Sequence, residues 1–352
     1  MQKNIYVAYT GGTIGMRGSP EGYHPVPGFL ADQMARIPEL QHPQMPKYVV
    51  HEYNPLIDSS NTSPMLWLHI ARDIATHYDA FDSFVVLHGT DTMAYTASAL
   101  PFMLQGLAKP VIVTGAQIPL CEVRSDAREN LITSLLIAAH YPIPEVCLYF
   151  GGRLLRGNRA VKVNADGFDA FDSPNFPPLG IAGVEIDIRW DLVSPPPAKP
   201  QPIAVKALSE SRVAVLRLFP GISASVVRNI LAPPIKGLVL QTYGLGNGPS
   251  DDADLLEEIY QATQRGVIVV NCTQCIKGSV HMGAYATGTA FAQAGVISGF
   301  DMTTEAALAK MFFLLSRNLS IAEVKEKMQL NLRGELSPSP SVTNTEDVSR
   351  NG

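Results

Sequence analysis

Ser83-Phe-Val-Val-Leu-His-Gly-Thr-Asp-Thr-Met-Ala-Tyr-Thr-Ala-Ser-Ala-Leu-Pro-Phe-Met-Leu104, with Val111-Ile-Val-Thr-Gly115 close behind, reads as strand, polar loop, helix and strand in succession. The run 83–87 is a continuous apolar strand, of the kind that is covered on both faces. Residues 88–92 form the loop, and a helix is expected from about 93 to 104. Upstream, Ile5 to Tyr9 is β-rich and ends at Thr10-Gly-Gly-Thr13. Ser63-Pro64 has the form of an N-cap followed by proline in the first helical position. Leu66, Ile70, Ile74 and Tyr78 then recur every four residues, as on one face of a helix. Downstream, Ser125 is placed to cap a helix through Asn130 to Ala139, ahead of a strand at 145–150. Repeated strand–loop–helix units with apolar strands imply a parallel α/β sheet.

The pattern breaks between 151 and 164. There Arg153-Leu-Leu-Arg-Gly-Asn-Arg-Ala-Val-Lys-Val163 sets Gly157-Asn158 between two short runs, and a hairpin is expected. Ser194-Pro-Pro-Pro-Ala-Lys-Pro-Gln-Pro202 follows, and proline at this density favours an extended spacer. A second α/β series comes next. Its strands are expected near 213–219, 237–242 and 267–270, and its helices near 223–231 and 255–264. Two more helices, near 305–316 and 321–330, are expected to close that domain. The expected division is an N-terminal domain 1–193 carrying both threonine loops, a linker 194–211, a C-terminal α/β domain 212–336 and a disordered tail 337–352. No internal repeat is visible.

Apolar residues make up 46% of the chain and charged residues 17%, which provides a core and excludes a disordered chain. The net charge is −5 with no dense Lys/Arg block, so no nucleic-acid partner is expected. The start lacks the apolar core of a signal peptide, and no run approaches the ~20 residues that span a bilayer. A soluble, cytoplasmic protein without a membrane partner is expected. Cys121, Cys147, Cys272 and Cys275 make no disulfide scaffold in a chain of this length. Cys272-Thr-Gln-Cys275 has redox spacing without a thioredoxin-like setting, so these two are read as largely buried structural thiols. The eight histidines show no zinc-ligand spacing, and no metal is implied.

Two hydroxyl-rich loops remain, Thr10-Gly-Gly-Thr-Ile-Gly15 and His88-Gly-Thr-Asp-Thr92. Each follows an apolar parallel strand. Ligands of open α/β sheets bind outside the carboxyl ends of the strands, so both loops belong on one rim. Paired glycines let the first loop's backbone approach a ligand closely. The bland alternative is a tight turn with a capping threonine, and on local pattern alone it is the stronger. A phosphate-loop reading is weak, because the Gly-Lys-Ser/Thr ending and the three-glycine dinucleotide spacing are both missing. In the second loop, Asp91 or Thr92 as a helix cap explains one residue but not the whole run. A threonine hydroxyl is a poor nucleophile at neutral pH and needs a base or a nearby cation. Lys162 is a candidate for that cation. Its bland reading is an exposed strand lysine, which the residues alone favour.

Together with Asp58-Ser-Ser60, Val113-Thr-Gly-Ala-Gln-Ile-Pro119, Lys162 with Ala165-Asp-Gly167, and Tyr243-Gly-Leu-Gly-Asn-Gly248, these loops resemble the bacterial L-asparaginase family. The resemblance runs from Lys3 to about Leu336 and is closest to the cytoplasmic type I enzymes. It implies a flavodoxin-like N-terminal domain, a smaller C-terminal α/β layer and a homotetramer built from two tight dimers. It implies hydrolysis of L-asparagine to L-aspartate and ammonia, with no cofactor. Thr13 matches the nucleophile, and Tyr23 the tyrosine that bonds to it on loop closure. Thr90, Asp91 and Lys162 match a second triad, with Asp91 also expected on the substrate's α-ammonium. Asp58, Ser59 and Ser60 match the segment that holds the α-carboxylate and amine. Gln117 is expected on the same cleft wall, and Asn247 as the residue a neighbouring subunit lends. Thr273 and Cys275 match a pocket linked to activation by asparagine. Gln241 stands there in place of the arginine that would grip a carboxylate, so weakened or absent activation is expected.

Two competing readings stand beside this one. A mixed glutaminase-asparaginase differs by one methylene of substrate, worth only ~1–3 kcal/mol. A non-catalytic amino-acid sensor on the same fold has no need of two threonines and a lysine together. A relative that acts on misacylated tRNA shares the signatures but carries an extra N-terminal domain, and none is read before Lys3.

Overall fold

The computed structural model describes residues 2–199, 201–208, 212–283 and 286–337. It separates into two compact units, Met1–Ser211 with Thr303–Asn318, and Arg212–Met302 with Leu319–Gly352. The expected tail lies outside the described residues except for Ser337, whose backbone N–H donates to Asp301 Oδ1 (2.8 Å).

The first unit is built on β1 (Asn4–Gly11), β2 (Lys47–Ile57), β3 (Ser83–Leu87), β4 (Val111–Thr114) and β5 (Val146–Phe150). These five are parallel, and their spatial order is β2-β1-β3-β4-β5. That 2-1-3-4-5 order is the flavodoxin-like one, with its switch point between β1 and β3. Strands 1, 3, 4 and 5 contain the continuous apolar runs, and their side chains are buried on both faces. Ile5, Val7, Tyr9, Val85, Leu87 and Ile112 share one core with Leu131 and Leu135 of the helix Ala127–His140. On the helix Pro64–His77, the four-residue spacing is realised: Leu66, Ile70 and Ile74 are buried, with Tyr78 at its C-cap. Each such aliphatic side chain contributes roughly 1.5–3 kcal/mol on burial.

The sheet then turns antiparallel. Arg153–Arg156 pairs with β5 and with Gly180–Ala182, which pairs with Ile186–Ile188. The expected hairpin at 153–163 does not form. Gly157–Arg159 is a 3-10 turn, and Val161–Lys162 pairs instead with Phe171–Asp172. The cause is tertiary: a Cβ at Gly157 would lie 2.5 Å from Ala97 O and 2.9 Å from Val146 O, so the turn is seated on the helix Met93–Met103 and β5. Ser125 is one residue short of the cap position, which Asp126 occupies. Its hydroxyl still accepts from Ala127 N–H at 3.0 Å.

The second unit is a four-stranded parallel sheet in the order Val213–Arg217, Gly237–Thr242, Ile268–Thr273, Ile297–Ser298, with helices Ala224–Leu231 and Ala253–Gln264. Of the two helices expected to close it, Ile321–Gln329 does so, held by a capping box at Ser320 and Glu323. The helix Thr304–Leu315 belongs to the first unit. Its Phe312 and Phe313 meet Trp67 and Phe102, with ring centroids 6.0 and 5.7 Å apart. Among the described residues, no helix is long and apolar enough to cross a membrane.

Candidate active site

The loops after β1 and β3 meet backbone to backbone at the carboxyl rim of the first unit's sheet. Gly12 has φ +87°, and a Cβ there would lie 2.4 Å from Gly89 N and Cα. Gly89 is closed in turn by Ser59, whose Oγ would stand 2.4 Å from a Cβ at 89. Only glycine allows this approach, and it carries Thr13 past the end of β1 into a 3-10 turn, Thr13–Gly15. The Thr10 hydroxyl donates to Leu87 O (3.0 Å) and joins the two strand ends.

His88 anchors the second loop from beneath. It is 1% exposed, and its Nδ1 lies 2.8 Å from Gly89 O while Nε2 lies 2.9 Å from Thr96 Oγ1. A carbonyl only accepts, so Nδ1 carries the proton, and the neutral ring accepts from Thr96 at Nε2. Burial holds the imidazole below its ordinary pKa.

Above this anchor runs a chain of polar contacts. Lys162 Nζ donates to Thr90 Oγ1 (2.9 Å) and to Asp91 Oδ1 (2.8 Å). Thr90 in turn donates to Gln117 Oε1 (3.0 Å). The Gln117 amide donates to Ala165 O and Gly167 O, at 2.9 and 3.2 Å. Thr90 is buried, whereas the Asp91 carboxylate keeps 65% exposure. Lys162 is therefore not a free strand lysine. The short strand Val161–Lys162 brings its ammonium onto the second loop. Asp58, at the start of a 3-10 turn, accepts from Ser60 N and Ser60 Oγ, both at 2.9 Å, and Ser59 O accepts from Thr92 (2.8 Å). The Asp58–Ser60 turn thus rests on the second loop.

Thr13, Tyr23 and Gln117 share a cleft of ≈ 470 Å³ with Ile118, Pro119, Glu122, Val123 and Arg124. Tyr23 stands on the hairpin Met16–Ser19/Gly22–Pro25, and its hydroxyl donates to Glu122 Oε1 (3.1 Å). Acceptance by Glu122 raises the Tyr23 phenol above its ordinary pKa. Asn247, Gln241, Thr273 and Cys275 lie in the second unit. Asn247 Oδ1 accepts from Thr287 (2.7 Å), and Thr273 donates to Gly244 O (2.6 Å) and accepts from Cys275 N–H (3.1 Å). The Gln241 carbonyl accepts from Gln274 Nε2 (2.9 Å). Cys272 is buried as expected, but Cys275 is exposed, because Ile268–Thr273 ends before it. Among the described residues, no group of three or more His, Cys, Asp or Glu is arranged to hold a metal ion.

His88, Asp126 and Glu122 have no task legible in the sequence. Asp126 accepts from Gln117 N and Ile118 N (3.0–3.1 Å) and so shapes the turn that presents Gln117. The position of Asp126 beside Ser125, at a helix start, was its one visible signal.

Fold and site together define a two-unit α/β protein with paired hydroxyl loops at the rim of its larger sheet and a lysine bonded into one of them. The chain belongs to the asparaginase family. The family model for the asparaginase N-terminal domain matches residues 4–194, and that for the glutaminase/asparaginase C-terminal domain matches 212–328. The chain is 55% identical over 337 residues to L-asparaginase 1 of Escherichia coli (strain K12), covering 96% of this chain and 99% of that protein. It is 46% identical to the human 60 kDa lysophospholipase, over 97% of this chain and 62% of that protein. The crystal structure of L-asparaginase I from Vibrio cholerae superposes with a TM-score of 0.89 at 53% identity, covering 96% of this chain and all of that one.

Proposed function

We propose that this chain is an L-asparaginase, which hydrolyses the side-chain amide of L-asparagine to L-aspartate and ammonia. The observation that carries the reading is the ammonium of Lys162 on both Thr90 Oγ1 and Asp91 Oδ1. A cation at 2.9 Å favours the ionised form of a buried hydroxyl, which equips Thr90 to accept and relay a proton. Thr13 gives up its hydroxyl proton as its oxygen attacks the amide carbon, and the C–N bond breaks to leave an acyl-enzyme. The leaving ammonia takes up a proton through Thr90, and water then releases aspartate. Backbone N–H groups of the Gly89–Thr90 turn face the developing oxyanion. Asp91, exposed and acidic, receives the α-ammonium. Asp58, Ser59, Ser60 and Gln117 hold the rest of the substrate, and Asn247 comes from a neighbouring subunit of a tetramer. A cytoplasmic location goes with the type I resemblance, and activation by asparagine through Thr273 and Cys275 is weakened or absent because Gln241 is neutral.

Ammonia release by the purified protein over a wide range of L-asparagine concentrations tests this directly. Turnover of ~1–10³ per second is expected. Equilibrium binding without release would turn the reading into an amino-acid sensor. Equal turnover of L-glutamine would make it a mixed glutaminase-asparaginase.

A further inference from the structure

Val161–Lys162 and Phe171–Asp172 form a separate sheet of two strands, with Lys162 opposite Phe171 and Val161 opposite Asp172. A ribbon of two strands is marginally stable by itself, so the position of Lys162 is set by what grips the pair from outside. Two grips fall on the strand that faces it. The Phe171 ring is buried, with its centroid 5.1 Å from that of Phe150 in β5. The Arg153 guanidinium reaches the same strand at two points: Nη2 donates to Phe171 O (2.7 Å) and Nη1 to Asp172 Oδ1 (2.9 Å). Arg153 is itself paired on both sides in the large sheet, opposite Phe150 and opposite Ile181, so its backbone is fixed where the fork begins.

A ring packed in an apolar core sets depth but makes no directional bond. The guanidinium adds direction, because its donors are held in a rigid planar fork. One donor takes a backbone carbonyl and the other a side-chain oxygen of the next residue. The strand can then neither slide nor turn without losing a bond. Any such shift would pass across the ladder to Lys162, whose ammonium has two acceptors to meet, at 2.9 and 2.8 Å. We infer that Arg153 is a positioning residue for the proposed reaction, holding Phe171–Asp172 so that the Lys162 ammonium falls on Thr90 and Asp91 together. Arg153 acts through Lys162, and the inference rests on the role proposed for that lysine. A lysine at 153 would keep the charge but present a point ammonium on a flexible stem in place of the fork. Asp172 serves as an acceptor, so a neutral acceptor of the same shape suffices there.

The test compares Arg153→Ala, Arg153→Lys, Asp172→Asn, Lys162→Met and the double variant Arg153→Ala/Lys162→Met in kcat, in KM for L-asparagine, and in amide hydrogen exchange over residues 161–172. A misplacement on the order of 1 Å costs about 10²-fold, so Arg153→Ala is expected to lower kcat ~10- to 100-fold. KM should stay within about threefold, as when an interaction made only in the transition state is lost. Arg153→Lys should fall between Arg153→Ala and the unaltered protein, and it carries the test if Arg153→Ala does not fold. Asp172→Asn, whose carbonyl still accepts, should keep kcat within about threefold. The double variant should be no slower than Lys162→Met alone, a result that general damage to the fold would not give. Exchange over 161–172 should accelerate in Arg153→Ala but not in Asp172→Asn. Unchanged kcat in Arg153→Ala or in Arg153→Lys, an equal loss in Asp172→Asn, or multiplied losses in the double variant would each overturn the inference. If the unaltered protein released no ammonia, the proposed function would fall. Exchange would then decide the grip of Arg153 on the Lys162 strand by itself, and unchanged exchange in Arg153→Ala would overturn it.

Discussion

Lys162 enters the site from a strand of only two residues, and its ammonium is divided between a buried hydroxyl and a half-open carboxylate. Lys162→Met keeps the length of the stem and its apolar contacts while removing the charge and its donors. Thr90 then loses the donor that steadies its ionised form, and Asp91 loses its counter-ion. Turnover of L-asparagine should fall by ~10²–10⁴-fold, the range a positioned proton-transfer group supplies. Steady-state rates alongside circular dichroism check this. Activity above a tenth of the original with an intact fold would argue that Lys162 only props the loop. At this scale the sequence is half legible. The threonines stand out because glycines flank them and strands precede them. The reach of Lys162 over 71 residues to Asp91, and of Tyr23 over 99 to Glu122, left no mark in spacing. His88 was hidden for the opposite reason: its polar partners are its own neighbours, and only burial shows that they must be satisfied.

At the scale of elements, the two loops are one structure because Gly12 and Gly89 touch. Gly12→Ala adds strain at φ +87° and a carbon 2.4 Å from the Gly89 backbone, which cannot swing aside as a side chain would. We expect a loss on the order of 3 kcal/mol or more in stability. Gly22→Ala, also at positive φ but with nothing within 4 Å, should cost only the strain, about 1–2 kcal/mol. Urea midpoints of the two variants separate close approach from conformation. Equal losses would mean that the contact adds nothing. The strands of the parallel core were readable because an apolar run of five admits few alternatives. The antiparallel extension was not, since strands of three or four residues are too short to show periodicity. The 157–159 turn is set by Ala97 and Val146 rather than by its own Gly-Asn signal.

For the molecule as a whole, a buried neutral imidazole under the site links stability to pH. The folded chain holds His88 below its ordinary pKa of 6.5, so it stays neutral while the unfolded chain takes up a proton. The unfolded state then binds more protons. Stability is therefore full above about 6.5 and is lost as pH falls through that value toward the folded pKa, by up to ~1.4 kcal/mol per pH unit. Urea unfolding at steps between about pH 7.5 and 5.5 should show the slope, reduced in His88→Gln. A flat profile, or the same slope in the variant, would remove His88 from the account.

The helix Thr304–Leu315 completes the first unit, yet the ribosome makes it after every strand of the second. Until it emerges, Trp67 and Phe102 lack the rings of Phe312 and Phe313. The nascent N-terminal unit thus carries uncovered aromatic surface through the synthesis of nearly a hundred further residues, a span of ~5–20 seconds at ordinary elongation rates. We expect aggregation of the nascent chain to concentrate in that interval, while those rings have no partners.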